Sequence, residues 1–142
     1  MKKKLNVLAV DDNEDVRILV SKWLGDEGYS IKTAVDGNDC IRKLTKDLDI
    51  VLLDIMMPGP TIKTILEAIR KKSPNAIVIY LTAVESFAPT KEQIKKGWTP
   101  MFEPPVMGYI QKPIDKRELL DKIKDSLNMK KVIWKDGNKK TS

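Results

Sequence analysis

Apolar residues along this chain alternate between two spacings. Leu5–Val10 (LNVLAV), Ile50–Leu53 (IVLL), Ala76–Leu81 (AIVIYL) and Val106–Gln111 (VMGYIQ) are nearly continuous runs of strand length. Such runs suit strands buried on both faces. Tyr29–Val35 reads as a further strand, with Ile31 as its clearest inward residue. Between the runs the spacing becomes helical. Val16, Leu19, Val20, Trp23 and Leu24 share one face of a first helix, and Gly25 and Gly28 bracket its end. Cys40, Ile41, Leu44 and Leu48 mark a second helix after a turn at Asp36-Gly37. Ile62, Ile65, Leu66 and Ile69 mark a third, stopped by Ser73-Pro74-Asn75. Lys91–Gly97 reads as a short polar fourth helix with Ile94 inward. Leu119, Leu120, Ile123 and Leu127 mark a fifth, capped by Asp115. Strands alternating with helices predict an α/β domain with one parallel sheet covered on both faces and right-handed crossovers.

A parallel sheet places the carboxyl ends of all its strands on one edge, where sites form in such folds. The first strand ends at Asp11-Asp12-Asn13, the third at Asp54, the fourth at Thr82 and the fifth at Lys112-Pro113. Each residue alone has a plain structural reading. Asp12 suits a helix cap, Thr82 a β-branched strand position and Lys112 a solvated end. Their coincidence at one edge points to a site. Three neighbouring carboxylates repel one another, and a divalent cation relieves that repulsion. Oxygen ligands without imidazole or thiolate select Mg2+ or a similar hard ion. With Lys112 and Thr82 beside them, the group suits a phosphoryl transfer in which Asp54 is the nucleophile.

Composition narrows the class further. The chain has 142 residues, 42% hydrophobic and 32% charged, as expected of one domain with a core. No apolar run approaches the roughly 20 residues of a membrane span. The run Leu5–Val10 after Lys2-Lys3-Lys4 is too short for a signal peptide. Cys40 is the only cysteine, so no disulfide forms within the chain and a cytoplasmic setting is the natural reading. Of the net charge of +6, Lys2–Lys4 supply +3 and residues 130–142 supply +4, leaving −1 for residues 5–129. Basicity at the two ends reads as solvated tails, or less strongly as a tether to an acidic surface. No basic, aromatic-laced face argues for readout of DNA or RNA.

The set Asp11-Asp12-Asn13, Asp54 with Met57-Pro58-Gly59, Thr82-Ala83 and Tyr109-Ile110-Gln111-Lys112-Pro113 resembles a response-regulator receiver domain of two-component signalling, of the single-domain chemotaxis-like type. The resemblance covers about residues 4–128. It implies a flavodoxin-like, five-stranded sheet of order 2-1-3-4-5 with five helices, and a cis bond at Lys112-Pro113. It implies that Asp54 accepts a phosphoryl group from a partner sensor histidine kinase or phosphotransfer protein. Asp12, Asp54 and the Met56 backbone carbonyl would bind Mg2+, with Asp11 acting through water. Lys112 and Thr82 would hold the phosphate oxygens, and Tyr109 would be the switch aromatic that follows Thr82. The helix 4–strand 5–helix 5 face would then bind a downstream partner or a second copy. On this reading the protein is not an enzyme beyond its own phosphorylation and dephosphorylation. The chain contains no histidine, so any phosphohistidine donor is another protein.

Two departures from the family pattern stand out. Thr61 and Ile62 occupy positions usually held by an Asp-Gly pair, which puts the start of the third helix in question. Trp98–Val106 (WTPMFEPPV) is an insertion of roughly eight residues between the fourth helix and fifth strand, with prolines that favour extended backbone. Trp98 and Phe102 either pack down onto the core or form an exposed anchor for a partner. The domain is placed at residues 1–128, with 129–142 as a basic tail too short to fold alone. Two other classes stay open. A receiver-like adaptor would act by binding alone, against which the intact site residues argue. An Mg2+-dependent aspartyl phosphohydrolase would need a second acid two residues beyond Asp54, where this chain has Met56.

Overall fold

The computed structural model describes residues 4–83 and 105–141, with side chains as far as residue 132. Five parallel strands form one sheet: β1 (Asn6–Val10), β2 (Ser30–Ala34), β3 (Ile50–Asp54), β4 (Ile77–Thr82) and β5 (Val106–Gln111). Their spatial order is β2-β1-β3-β4-β5. The helices among the described residues are α1 (Glu14–Asp26), α2 (Gly37–Lys43), α3 (Ile62–Lys72) and α4 (Lys116–Thr141). The order and alternation match the flavodoxin-like expectation. The fourth helix expected at Lys91–Gly97, and Trp98 and Phe102 of the insertion, lie outside the described residues.

Every residue of β3 and β4 is buried, as continuous apolar runs require of strands covered on both sides. The edge strand β2 alternates instead, with Ser30 and Lys32 exposed, Ile31 and Thr33 half-buried, and only Ala34 at its end fully buried. Successive side chains point to opposite faces, so the sheet separates two cores. Leu8, Val10, Val51, Leu53 and Val78 meet Cys40 of α2 and Ile65, Leu66 and Ile69 of α3. Val7, Ala9, Ile50, Leu52, Ile79 and Ile110 meet Val20 and Leu24 of α1 and Leu119 and Ile123 of α4. The β4–β5 register slips between Val78 and Ile79, and Tyr80 faces Tyr109 beyond the slip.

Local chemistry sets the helix ends. The Asn13 side chain accepts from the N–H groups of Asp15 and Val16, at 2.8 and 3.4 Å, and starts α1. Gly28, at φ +91°, turns the chain from α1 into β2. Asp115 accepts from Glu118 N–H at 3.0 Å, as expected. Thr61 answers the question raised by the missing Asp-Gly pair: its hydroxyl accepts from Thr64 N–H at 3.2 Å and caps α3. Gly59, at φ +110°, makes the turn that precedes it.

Two helices differ from the sequence expectation. α2 ends at Lys43, so Leu48 lies beyond it, although Leu44 and Leu48 are both buried. The loop after it makes its own bonds. Thr45 Oγ1 meets Asp47 Oδ1 at 2.5 Å, and Ser73 Oγ donates to the Thr45 carbonyl at 2.6 Å. Such side-chain bonds compete with helix continuation. The last helix runs to Thr141 rather than stopping near residue 128. Its apolar stripe ends at Leu127, but no glycine or proline breaks the propensity until Gly137. No helix of the described residues is long and apolar enough to cross a membrane.

The Thr61 cap yields a direct test. Thr61→Ala is expected to cost about 1 kcal/mol in denaturant unfolding, and Thr61→Asp should retain most of that stability.

Candidate functional site

Asp11 follows directly from β1 and is fixed on every side. Its N–H donates to the Ala34 carbonyl of β2 at 3.1 Å. Its Oδ1 accepts from Asn13 N–H at 2.9 Å, and its own carbonyl accepts from Arg17 Nη1 at 2.8 Å. Only 1% of Asp11 is exposed, whereas Asp12 beside it faces solvent. Asp54 closes β3 and is 3% exposed. Its Oδ1 accepts from Met56 N–H at 2.9 Å. Thr82 closes β4 and is buried.

Lys112 reaches this cluster from the end of β5. Its Nζ lies 2.6 Å from Asp11 Oδ2 and 3.4 Å from Asp54 Oδ2. Its backbone N–H donates to the Thr82 carbonyl at 2.7 Å, which ties the two strand ends together. The Lys112-Pro113 peptide bond is cis. Carboxylate oxygens of Asp11, Asp12 and Asp54 lie within 4.8 Å of one another. The fold therefore brings together all four strand-end positions singled out from the sequence. Met56 follows with its side chain 59% exposed, and Tyr109 on β5 is 38% exposed.

Three carboxylates face one ammonium, so the cluster is short of positive charge. Burial pushes the Asp54 carboxyl above its usual range, and the neighbouring Asp11 charge adds to that. The Met56 N–H and Lys112 oppose the shift without cancelling it. Burial alone would lower the Lys112 pKa, but close contact with Asp11 and the charge of Asp54 hold it above its usual value. Asp11 Oδ2 has the lysine as its neighbour but no aligned hydrogen-bond donor among the described residues. A hard divalent cation fits this donor set, which is all oxygen, contains no imidazole or thiolate, and lacks positive charge.

Arg17 escaped the sequence reading. Its guanidinium folds back from α1 onto the Asp11 carbonyl, and nothing in the helical spacing of α1 announces that contact. The clamp behind β2 was equally invisible. Asp39 Oδ2 accepts from Val35 N–H and from Lys43 Nζ, each at 3.0 Å. Asp39 Oδ1 accepts from Arg42 at 3.0 Å.

Known proteins are similar to this chain in sequence and fold. The profile of the response regulator receiver domain matches residues 7–124. A putative transcriptional regulator of Haloferax volcanii is 32% identical over 121 residues, 85% of this chain and 19% of that protein. The response regulator SaeR of Staphylococcus aureus is 30% identical over 126 residues, 89% of this chain and 52% of that protein. The chain thus spans about a fifth to a half of the length of these relatives. Among solved structures, the response regulator protein TrrA of Thermotoga maritima, in complex with Mg(2+)-BeF, is 31% identical with a TM-score of 0.66. That match covers 86% of this chain and 98% of the other.

The raised Asp54 pKa predicts a pH-dependent stability. Because the folded carboxyl holds its proton more tightly than the unfolded one, stability falls as pH rises from the unfolded value through the folded one. At neutral pH the ionised Asp54 is therefore a net liability. Asp54→Asn is expected to raise the melting temperature by a few degrees at pH 7 without added divalent cation. The gain should shrink as pH falls below the usual carboxylate range. A lower melting temperature for the variant at pH 7 would contradict this.

Proposed function

The chain belongs to the response regulator receiver domain family, and from that membership we propose that it relays a two-component signal by accepting a phosphoryl group on Asp54. The observation that carries the proposal is the meeting of Asp11, Asp12, Asp54 and Lys112 at the carboxyl end of one sheet. With no histidine in the chain, the donor is a phosphohistidine on a sensor kinase or phosphotransfer protein, or a small phosphodonor. A lone pair on an Asp54 carboxylate oxygen forms the new O–P bond. The donor's N–P bond, or the O–P bond of an acyl phosphate, breaks, and its electron pair stays on the departing nitrogen or oxygen. Asp54 is positioned for this at the end of β3, where Met56 N–H and Lys112 meet its carboxylate.

Each neighbour has a role in that transfer. The Lys112 ammonium, already drawn between Asp11 and Asp54, neutralises charge on the phosphoryl oxygens. The Thr82 hydroxyl donates to one of them once that group is present. Asp11, Asp12, Asp54 and the Met56 backbone carbonyl would hold Mg2+. The bound ion supplies the positive charge that the carboxylates and incoming phosphate require. The complex of TrrA with Mg(2+)-BeF supports such an ion. Tyr109, half-exposed on β5 and paired with Tyr80 of β4, would follow a movement of Thr82 two residues farther along β4. Its rearrangement would alter the surface of β5 and α4 for a downstream protein or a second copy. On this reading the protein acts as a cytoplasmic regulator through its own phosphorylation and dephosphorylation.

Intact mass after incubation with a small acyl phosphate tests the proposal. A single phosphoryl adduct is expected, dependent on Mg2+ and absent from Asp54→Ala. An adduct that persists in Asp54→Ala would overturn the assignment. The exposed, apolar Met56 side chain cannot orient a water for in-line attack on the acyl phosphate. Met56→Asn is therefore expected to shorten the phosphoryl half-life several-fold. An unchanged or longer half-life would contradict this.

A further inference from the structure

Asp12 is the one carboxylate of the cluster whose side chain is not held. Asp11 is fixed by Asn13 N–H and Lys112, and Asp54 by Met56 N–H and Lys112. Asp12 is exposed, and no hydrogen bond among the described residues fixes its carboxylate. Its direction therefore rests on the backbone that carries it. The Arg17 guanidinium grips that backbone on one side, and its main-chain N–H makes the first helical bond of α1 on the other. The Arg17 N–H donates to the Asn13 carbonyl at 3.2 Å, and Nη1 donates to the Asp11 carbonyl at 2.8 Å. The Asp11 carbonyl and the Asp12 N–H belong to the same planar peptide unit, so holding one orients the other. One residue of α1 thus brackets Asp12 from the residue before and the residue after.

We propose that Arg17 is a positioning residue that sets the cation affinity of this site by fixing the Asp11–Asp12 backbone. The proposal rests on the reading of the carboxylate cluster as a divalent cation site. Its two physical effects have opposite signs. Arg17 carries a permanent positive charge near three carboxylates, and charge alone would oppose a cation. Orientation of the ligand backbone favours one. Residues that support metal ligands without touching the metal commonly alter affinity by about 10–100-fold. Arginine suits the task through the reach and planarity of its fork, which a lysine ammonium lacks.

Opposite signs make the test decisive. Mg2+ binding to the unphosphorylated full chain is measured by isothermal titration calorimetry for wild type, Arg17→Ala, Arg17→Met and Arg17→Lys. Arg17→Met preserves the apolar stem and separates loss of packing from loss of the hydrogen bond. Positioning predicts that Arg17→Ala and Arg17→Met both bind Mg2+ roughly 10-fold or more weakly, with Arg17→Lys also weakened despite its retained charge. The Mg2+ concentration giving half-maximal phosphorylation should rise in parallel. Unchanged or tighter binding by Arg17→Met would overturn the role of Arg17 and leave the cation site standing. No Mg2+ binding by wild type would overturn both.

Discussion

A single ammonium between two buried carboxylates governs the functional end of this molecule. Lys112 reaches Asp11 and Asp54 from a strand that is not adjacent to either of theirs. Without it, Asp11 and Asp54 would be buried acids at close range, a costly arrangement. With it, burial and the neighbouring Asp11 charge still hold the Asp54 pKa above its usual range. The sheet tolerates the conflict because the strands carrying it are buried on both faces by two separate apolar cores. A bound cation would relieve the same conflict, so a destabilising feature of the fold underlies the chemistry proposed for it.

The edge strand β2 takes part in that geometry although it supplies no acid to the cluster. Its last residue, Ala34, accepts the N–H of Asp11. Just beyond it, Val35 N–H is held by Asp39, which Arg42 and Lys43 neutralise. Burial works against the ionised Asp39 carboxyl, but these hydrogen bonds and the Lys43 charge keep its pKa below the usual range. Lys43 also donates to the Thr33 carbonyl at 2.7 Å. The start of α2 is thereby locked to the end of β2, and through Ala34 to Asp11. Two layers of contact, one from α1 and one from α2, hold the first acidic turn in place.

What could be read in advance was whatever the chain repeats. Continuous apolar runs announced β3 and β4, because strands covered on both faces leave no room for polar alternation. The strand ends followed, and with them Asp11, Asp54, Thr82 and Lys112. What could not be read depends on partners distant in sequence or on long, flexible side chains. Leu48 continued an apolar pattern past the end of α2, since the bond from Ser73 to the Thr45 carbonyl is a tertiary contact. Leu127 closed an apolar stripe, yet α4 continues because helix propensity does not require burial. Arg17 resembled any solvent-facing helical charge until its guanidinium was seen against the Asp11 carbonyl. Thr61 shows the reverse. A departure from the family pattern proved a good N-cap by its own chemistry.

The length of α4 has a mechanical side. At 26 residues it extends about 39 Å. Its first turns are seated on the sheet through Leu119 and Ile123, and Lys130 donates to the Asn75 carbonyl farther along. Past that contact, Lys131 and Val132 face solvent. A helix is stiff along its axis, so rotation at the seated end is amplified with distance. About 16 Å of helix remain past Lys130, so tilting that part by about ten degrees would carry the far end through roughly 3 Å. The helix begins four residues after Lys112, and its first core contact, Leu119, is seven residues after it. One continuous helix thus joins the loop after Lys112 to a segment that extends past the Lys130 contact.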